Sequence, residues 1–221
     1  MVDIVAEIGA NWKGNYSTLD RMIERCAKAG CNAVKFQALS QSLLDRHPEW
    51  DWYVNASINE VNVGFVAGLC REYKIEFFCT PTYPEAVTFL NPYVKRWKIR
   101  HADKDYEELL LKCMNTLKPI YVSRDRPLEK PLNTISYIYC VPKYPTEYGE
   151  LNFDMIKLMP GFSCHCLDPL AILRAVRYGA KYIEFHLTDN KDDFAIDNKV
   201  SYTYSQMEEL IKWMTMDTKD T

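Results

Sequence analysis

Two histidines, His165 and His186, have the residue type and the positions of metal ligands. Each ends a short apolar run that is typical of a buried β-strand. A single histidine there is more often a hydrogen-bonded core residue, but two at the ends of adjacent parallel strands could bind one cation through neutral imidazole nitrogens. No carboxylate has a fixed place beside them. The pattern therefore predicts an open site that suits Mn²⁺ or Mg²⁺ better than a closed structural Zn²⁺ site.

Four further residues at predicted strand ends suit a phosphate group. Lys35 and Lys98 would supply positive charge, and the hydroxyl groups of Ser123 and Ser163 would supply directional hydrogen bonds. By residue type alone this signal is weak. It gains weight if the same fold brings all four to one place.

Charged residues inside apolar strands also need an explanation. The period of two along a strand puts Lys35 on the same face as Gln37, and Glu184 on the same face as His186. An unpaired charge in an apolar interior costs several kcal/mol, so partners or ligands are implied. One explanation is a purely structural ion pair between Lys35 and Glu184. The grouping of so many polar residues at one end of the strands favours a functional site.

The elements that must position these residues alternate regularly between strand and helix. Eight strands are predicted, most of them apolar on both faces, as expected for parallel strands covered by helices. Such alternation predicts a compact closed (β/α)₈ TIM barrel, with the chemistry at the C-terminal ends of its strands. The predicted strands are Asp3–Ile8, Ala33–Gln37, Glu76–Thr80, Arg96–Ile99, Pro119–Val122, Ser136–Cys140, Gly161–Ser163 and Tyr182–His186.

Helices are predicted between most of the strands. Ser17 and Thr18 are the expected N-terminal caps of the first helix, Asn59 of the second, and Ser205 with Glu208 forms a capping-box pattern before the last. Two connections are short, one between Ser123 and Ser136 and one at Asn152–Leu158, so one or two helices should be shortened or missing. The predicted helices are Leu19–Ala29, Val61–Tyr73, Pro84–Leu90, Tyr106–Leu117, Asp168–Tyr178 and Ser205–Met214.

The overall composition bears on the number of domains and on the classes of binding partner. The 221 residues, 48% of them hydrophobic, suit a single domain over residues 1–221, and a net charge of -3 gives no basic surface for nucleic acid or an anionic membrane. We expect a cytoplasmic protein, because the sequence shows no signal peptide and no membrane-spanning run. The 8 cysteines should be reduced and buried. Cys164 and Cys166 flank His165, but their spacing is not typical of zinc ligands.

Several segments share the motifs of one enzyme family. Residues 6–11 (AEIGAN), 29–37 (AGCNAVKFQ) and 76–81 (EFFCTP) follow one another in the family's order. Residues 161–165 (GFSCH) are similar to its Gly-Tyr-Ser-Asp-His motif, and residues 180–186 (AKYIEFH) to its Gly-Ala-x-x-Ile-Glu-x-His strand. The chain thus resembles the sialic acid synthase family, which condenses phosphoenolpyruvate with an amino-sugar aldehyde.

The resemblance implies a role for each matching residue. Two histidines would hold Mn²⁺ or Mg²⁺, and two carboxylates would support or perform proton transfer. It also implies a possible homodimer. The implied roles are metal ligation by His165 and His186, phosphoenolpyruvate binding by Lys35, Lys98, Ser123 and Ser163, acceptor binding by Gln37, Tyr144 and Asp197, and catalysis by Glu7 and Asp103.

The chain departs from the family pattern at four places. Trp12 stands where the family has His, His101 replaces a phosphate-site Ser, Pro142 replaces an amide, and Cys164 replaces the Asp before the first metal ligand. We also expect the 221 residues to be the catalytic barrel alone, without the antifreeze-like domain that follows it in the family.

The resulting prediction is a phosphoenolpyruvate-dependent synthase of the N-acetylneuraminate type, acting on an aldose such as N-acetylmannosamine. Two alternatives stay open. One is another divalent-metal barrel enzyme that acts on a phosphorylated sugar, such as an aldolase or a phosphodiesterase. The other is a non-catalytic relative that serves as a binding protein.

Overall fold

Eight parallel strands form the centre of the molecule. The computed structural model of the protein describes residues 2–46, 51–192, 194–195 and 197–216. The strands lie in the order β3-β2-β1-β8-β7-β6-β5-β4, and β3 packs beside β4, which gives a nearly closed barrel. They are β1 (Asp3–Glu7), β2 (Ala33–Ala38), β3 (Glu76–Pro81), β4 (Trp97–Ile99), β5 (Ile120–Arg124), β6 (Ile135–Tyr139), β7 (Gly161–Cys164) and β8 (Tyr182–Leu187).

The predicted strands are confirmed within one or two residues at each end. Their inward and outward faces are both buried, which is why they appear in the sequence as continuous apolar runs. Helices cover the outside of the barrel. They are α1 (Tyr16–Ala29), α2 (Gln41–Leu44), α3 (Asp51–Ala56), α4 (Val63–Glu72), α5 (Pro84–Leu90), α6 (Glu107–Met114), α7 (Met155–Leu158), α8 (Pro169–Arg177) and α9 (Tyr204–Met216).

The shortened connections are also confirmed. Within the described residues no helix lies between β5 and β6, and α7 has only four residues. An element that we did not predict is β9 (Ser201–Tyr202), which pairs in parallel with the end of β8 and places Ser201 opposite His186.

Three predicted helix starts are wrong in detail. Helix α1 is capped by Asn15, whose side chain accepts a hydrogen bond of 3.0 Å from the backbone of Thr18, so the helix begins one turn earlier than expected. Helix α9 begins after Thr203, which exchanges hydrogen bonds with Gln206 in place of the predicted Ser205 capping box. Helix α4 begins two residues later than predicted.

The N-terminal end of the barrel is closed by a charged residue. The Arg96 guanidinium pairs with Asp3 and with Glu76, the latter at 2.9 Å. It also lies over the rings of Tyr121 and Tyr182, at 5.3 and 5.9 Å from their centroids. These contacts plug the base of the barrel.

The cysteines behave as small core residues. All eight are buried with free thiols, including Cys164 and Cys166, as the sequence predicted.

The described residues contain no cluster of three or more His, Cys, Asp or Glu side chains arranged to hold a metal ion. In the same residues, no helix has both the length and the apolar character needed to cross a bilayer.

Candidate functional site

A cavity of about 390 Å³ lies at the C-terminal ends of the strands. This is the end at which enzymes of this fold carry their active sites. Its lining brings together all the predicted site residues except Asp103. Those that line it are Glu7, Lys35, Gln37, Lys98, Ser123, Tyr144, Ser163, His165, His186 and Asp197.

Glu184 is the centre of the cavity floor. Its carboxylate accepts hydrogen bonds from Ser163 Oγ at 2.8 Å, Lys98 Nζ at 3.2 Å and the Tyr182 hydroxyl at 2.5 Å. Lys35 Nζ lies 3.7 Å from the same carboxylate. Burial alone would raise the pKa of Glu184, but the two ammonium groups and two hydroxyl donors hold that pKa well below its usual range. Glu184 is therefore ionised.

Lys35 has a second and closer partner. Its Nζ lies 2.6 Å from Glu7 Oε2 and donates to Thr80 Oγ1 at 3.2 Å. Gln37 Nε2 donates to the other oxygen of Glu7 at 2.8 Å. Burial lowers the pKa of Lys35. Glu184 and Glu7 together raise it by more than burial lowers it, so the net pKa shift is upward. The structural ion pair considered for Lys35 and Glu184 is thus present, within a wider network.

Lys98 is held differently from Lys35. Burial is the main influence on the pKa of Lys98 and lowers it. The carboxylate of Glu184 raises this pKa and the ammonium group of Lys35 lowers it, and the net pKa shift is downward. The formal charges of Lys35, Lys98, Glu7 and Glu184 sum to zero. The floor therefore has little net positive charge to offer an anionic ligand.

The two predicted histidine ligands lie side by side at the cavity wall. The ring centroids of His165 and His186 are 5.5 Å apart, and the Tyr144 ring stacks on His165 at 4.0 Å. His165 Nδ1 hydrogen-bonds to the carbonyl oxygen of Val141 at 3.1 Å, so the Nδ1–H is the donor and Nε2 is left as a ligand atom. Burial, assisted by His186, lowers the pKa of His165 to about 3. Its imidazole is neutral at physiological pH.

His186 provides the test of whether these residues fit a metal. Its ring is buried, yet Nδ1 makes no hydrogen bond within the described part of the chain, and Asp197 Oδ2 lies 3.7 Å from that atom. A buried nitrogen without a partner is costly unless a ligand satisfies it. The two adjacent imidazoles therefore fit an open divalent-cation site, completed by water or substrate.

The hydroxyl of Ser123 is similarly free. Ser123 Oγ is buried at the floor of the cavity without a hydrogen-bond partner among the described residues. A ligand with an acceptor oxygen would satisfy it.

Asp103 lies beside the cavity and not in its lining. Its carboxylate pairs with Arg100 through two contacts, one of them 3.2 Å from Nη2 to Oδ1, on the turn that follows β4. A proton-handling role would require that pairing to open. The structure thus separates Asp103 from the other candidates.

Other residues line the cavity without a role assigned from sequence. Arg100 and His101 follow β4; His101 was noted in the sequence as a departure from the family pattern, and a strand-end search could also have included Arg100. Tyr53 comes from α3 and Lys199 from the loop after β8, and no spacing in the sequence links either of them to the strand ends.

Comparison with known proteins places this site in a family. A sequence profile of the NeuB family matches residues 22–126 and 127–219. The chain belongs to the NeuB family. This agrees with the sialic acid synthase motifs in the sequence and with the barrel.

Individual relatives agree with this assignment. N-acetylneuraminate-9-phosphate synthase of Drosophila melanogaster is 28% identical over 97% of this chain and 67% of its own length. N,N'-diacetyllegionaminic acid synthase of Legionella pneumophila is 23% identical over 95% of this chain and 70% of its own. The sialic acid synthetase structure from Leptospira borgpetersenii superposes with a TM-score of 0.87, at 24% identity, over 99% of this chain and 84% of that one. The chain spans about two thirds of the curated relatives' length.

Proposed function

We propose that this protein condenses phosphoenolpyruvate with an N-acylamino-sugar aldehyde of the N-acetylmannosamine type, giving a nonulosonate and phosphate. The names of its relatives support a synthase of this class. The observation that carries the proposal is the shared cavity, which is lined by two histidines, two buried lysines and a serine whose hydroxyl has no hydrogen-bond partner among the described residues.

The floor of the cavity is the proposed site for phosphoenolpyruvate. Lys35 and Lys98 supply N–H donors, although Glu7 and Glu184 balance their charge, and Ser163 and Ser123 supply hydroxyl donors. Ser163 already donates to Glu184, whereas the Ser123 hydroxyl has no partner among the described residues before the ligand arrives. Binding would therefore rearrange the hydrogen bonds around Glu184 and leave the strands in place.

The wall of the cavity is the proposed site for the acceptor sugar. His165 and His186 would hold Mn²⁺ or Mg²⁺, which supplies Lewis-acid activation of the acceptor's aldehyde when bound. Gln37, Tyr144 and Asp197 line the same wall, and we assign them to the sugar's hydroxyl and amide groups. Holding both substrates in one cavity of this size replaces a bimolecular encounter by a positioned reaction.

The reaction then proceeds by carbon–carbon bond formation. Carbon C3 of phosphoenolpyruvate attacks the aldehyde carbon, water adds at C2, and the C2–phosphate bond breaks. The Glu7 carboxylate contacts both Lys35, at the proposed phosphoenolpyruvate site, and Gln37, at the proposed sugar site. Because it lies between the two proposed substrate sites, we assign it a catalytic role. Asp103 is a second candidate for proton transfer, acting from beside the cavity once Arg100 releases it.

Phosphate release tests the proposal directly. The protein is incubated with phosphoenolpyruvate, Mn²⁺ and a panel of aldoses that includes N-acetylmannosamine, while phosphate and the mass of the product are measured. Release that needs both substrates, with a nonulosonate formed, supports the proposal. Release without an aldose would indicate a phosphorylated-sugar hydrolase or a related enzyme. No release with any aldose would leave a binding protein.

Metal binding tests the histidine pair separately. His165→Ala and His186→Ala should each weaken Mn²⁺ binding strongly, as measured by calorimetry or by the spin-resonance signal of free Mn²⁺. Lys28→Ala on α1 is the control, because Lys28 lies on an exposed face and pairs with Glu24. Unchanged Mn²⁺ affinity in both histidine variants would refute the assignment.

A further inference from the structure

A histidine–aspartate pair stands at the cavity apart from the residues used so far. His101 begins the turn after β4, three residues past Lys98, and is one of the residues that line the cavity. Asp125 directly follows β5, two residues past Ser123. The parallel pairing of β4 with β5 brings the two residues together, and His101 Nε2 lies 3.0 Å from Asp125 Oδ1.

This contact fixes one edge of the imidazole ring. Asp125 holds Nε2, and among the described residues nothing hydrogen-bonds to Nδ1. The hydrogen bond from His101 is the main cause that lowers the pKa of Asp125, so its carboxylate stays ionised and keeps accepting from the ring. The ring is thus oriented, with one nitrogen left for a ligand in the cavity.

The charged groups around His101 do not compete for it. On its own turn, Arg100 and Asp103 pair with each other. On the β5 side, Arg126 contacts the second oxygen of Asp125 at 3.3 Å and leaves the first to His101. Lys98, from β4 itself, is directed to Glu184.

The proposed reaction needs a group that can give a proton to the phosphate as it leaves. The buried floor has a formal charge of zero, whereas phosphoenolpyruvate carries a phosphate and a carboxylate. Phosphate also leaves more readily if its bridging oxygen is protonated as the bond breaks. Glu184 is ionised and bound by four neighbours, so it has no proton to give.

We propose that His101, oriented by Asp125, contacts the phosphate group of phosphoenolpyruvate and donates a proton to it as it departs. The C2–O bond of the tetrahedral intermediate breaks, its electron pair passes to the phosphate oxygen, and that oxygen takes the Nδ1 proton. The C2 hydroxyl loses its proton to water as the ketone forms, and His101 regains a proton from water. This role rests on the proposed function.

The test is the single-turnover rate of phosphate release as a function of pH. His101→Ala should lower the rate about 10²–10⁴-fold and abolish the fall in rate at alkaline pH, with a much smaller change in the affinity for phosphoenolpyruvate. Asp125→Asn, at a positioning residue, should lower the rate at least about tenfold with a much smaller change in the affinity for phosphoenolpyruvate, because the carboxylate no longer orients the ring. Arg126→Ala, which removes the other contact of Asp125, is the matched control and should behave as wild type.

Each alternative outcome has a distinct meaning. If His101→Ala keeps the wild-type rate and pH profile while the wild type is active, the proton donation is refuted and the proposed function stands. If His101→Ala weakens binding of phosphoenolpyruvate in calorimetry but keeps the turnover rate, the residue only binds phosphate and the inference is overturned. If the wild type releases no phosphate with any aldose, both proposals fail together.

Discussion

Replacing Glu184 by Gln should destabilise the protein severely, although the two side chains have nearly the same shape. At an effective dielectric constant of about 20, the attraction across 3.2 Å to Lys98 amounts to about 5 kcal/mol, and across 3.7 Å to Lys35 to about 4.5 kcal/mol. Most of this offsets the cost of burying the charges. The uncompensated ammonium groups left behind should lower the free energy of unfolding by about 3–5 kcal/mol.

Urea unfolding followed by circular dichroism measures this loss, and a variant cycle identifies its cause. Lys98→Met combined with Glu184→Gln removes one of the ammonium groups that Glu184→Gln leaves unpaired. The double variant should therefore lose at least about 1 kcal/mol less free energy of unfolding than the sum of the two single changes. Glu24→Gln, which breaks the exposed pair with Lys28, is the matched control and should change stability little. A loss below about 1 kcal/mol for Glu184→Gln would refute the view that charge holds the floor together.

Three more predictions follow from single groups. Because the folded pKa of His165 is about 3 and its unfolded value 6.5, stability should fall by about 1–2 kcal/mol as pH drops from 6.5 to about 5, and His165→Asn should lack that loss in urea unfolding. Ser123→Ala should leave stability unchanged or higher, since its hydroxyl has no partner, yet weaken phosphoenolpyruvate binding roughly tenfold in calorimetry. Arg96→Met should cost about 3 kcal/mol in thermal or urea unfolding, because Asp3 and Glu76 lose their counter-charge; a neutral result would contradict the plug.

The barrel was predictable because its strands leave a strong local signal. A parallel strand buried on both faces reads as an apolar run, and the few polar residues at its end stand out. Lys35, Lys98, His165 and His186 were found in this way, and the structure brings them to one cavity. The starts of the helices were harder to predict. Asn15, Ser17 and Thr18 are all suitable N-terminal caps for α1, and the backbone conformation decides that Asn15 takes this role.

Contacts between loops could not be read from the sequence. The pairing of His101 with Asp125 depends on β4 and β5 being neighbours and on two loop conformations. Asp103 was placed at the site by its position after a strand, but Arg100 on the same turn captures its carboxylate. Strand β9 was missed because two residues are too few to show a period.

The plugged base of the barrel has a consequence for its mouth. Arg96 lies over the ring of Tyr182, and the hydroxyl of that ring donates to Glu184, the hub of the floor. These contacts link Arg96 at the base of the barrel, through Tyr182, to Glu184 at the cavity floor. Substitutions at Arg96, far from any substrate, should therefore alter how firmly Glu184 holds its two lysines, and screens for active-site variants gain by including them.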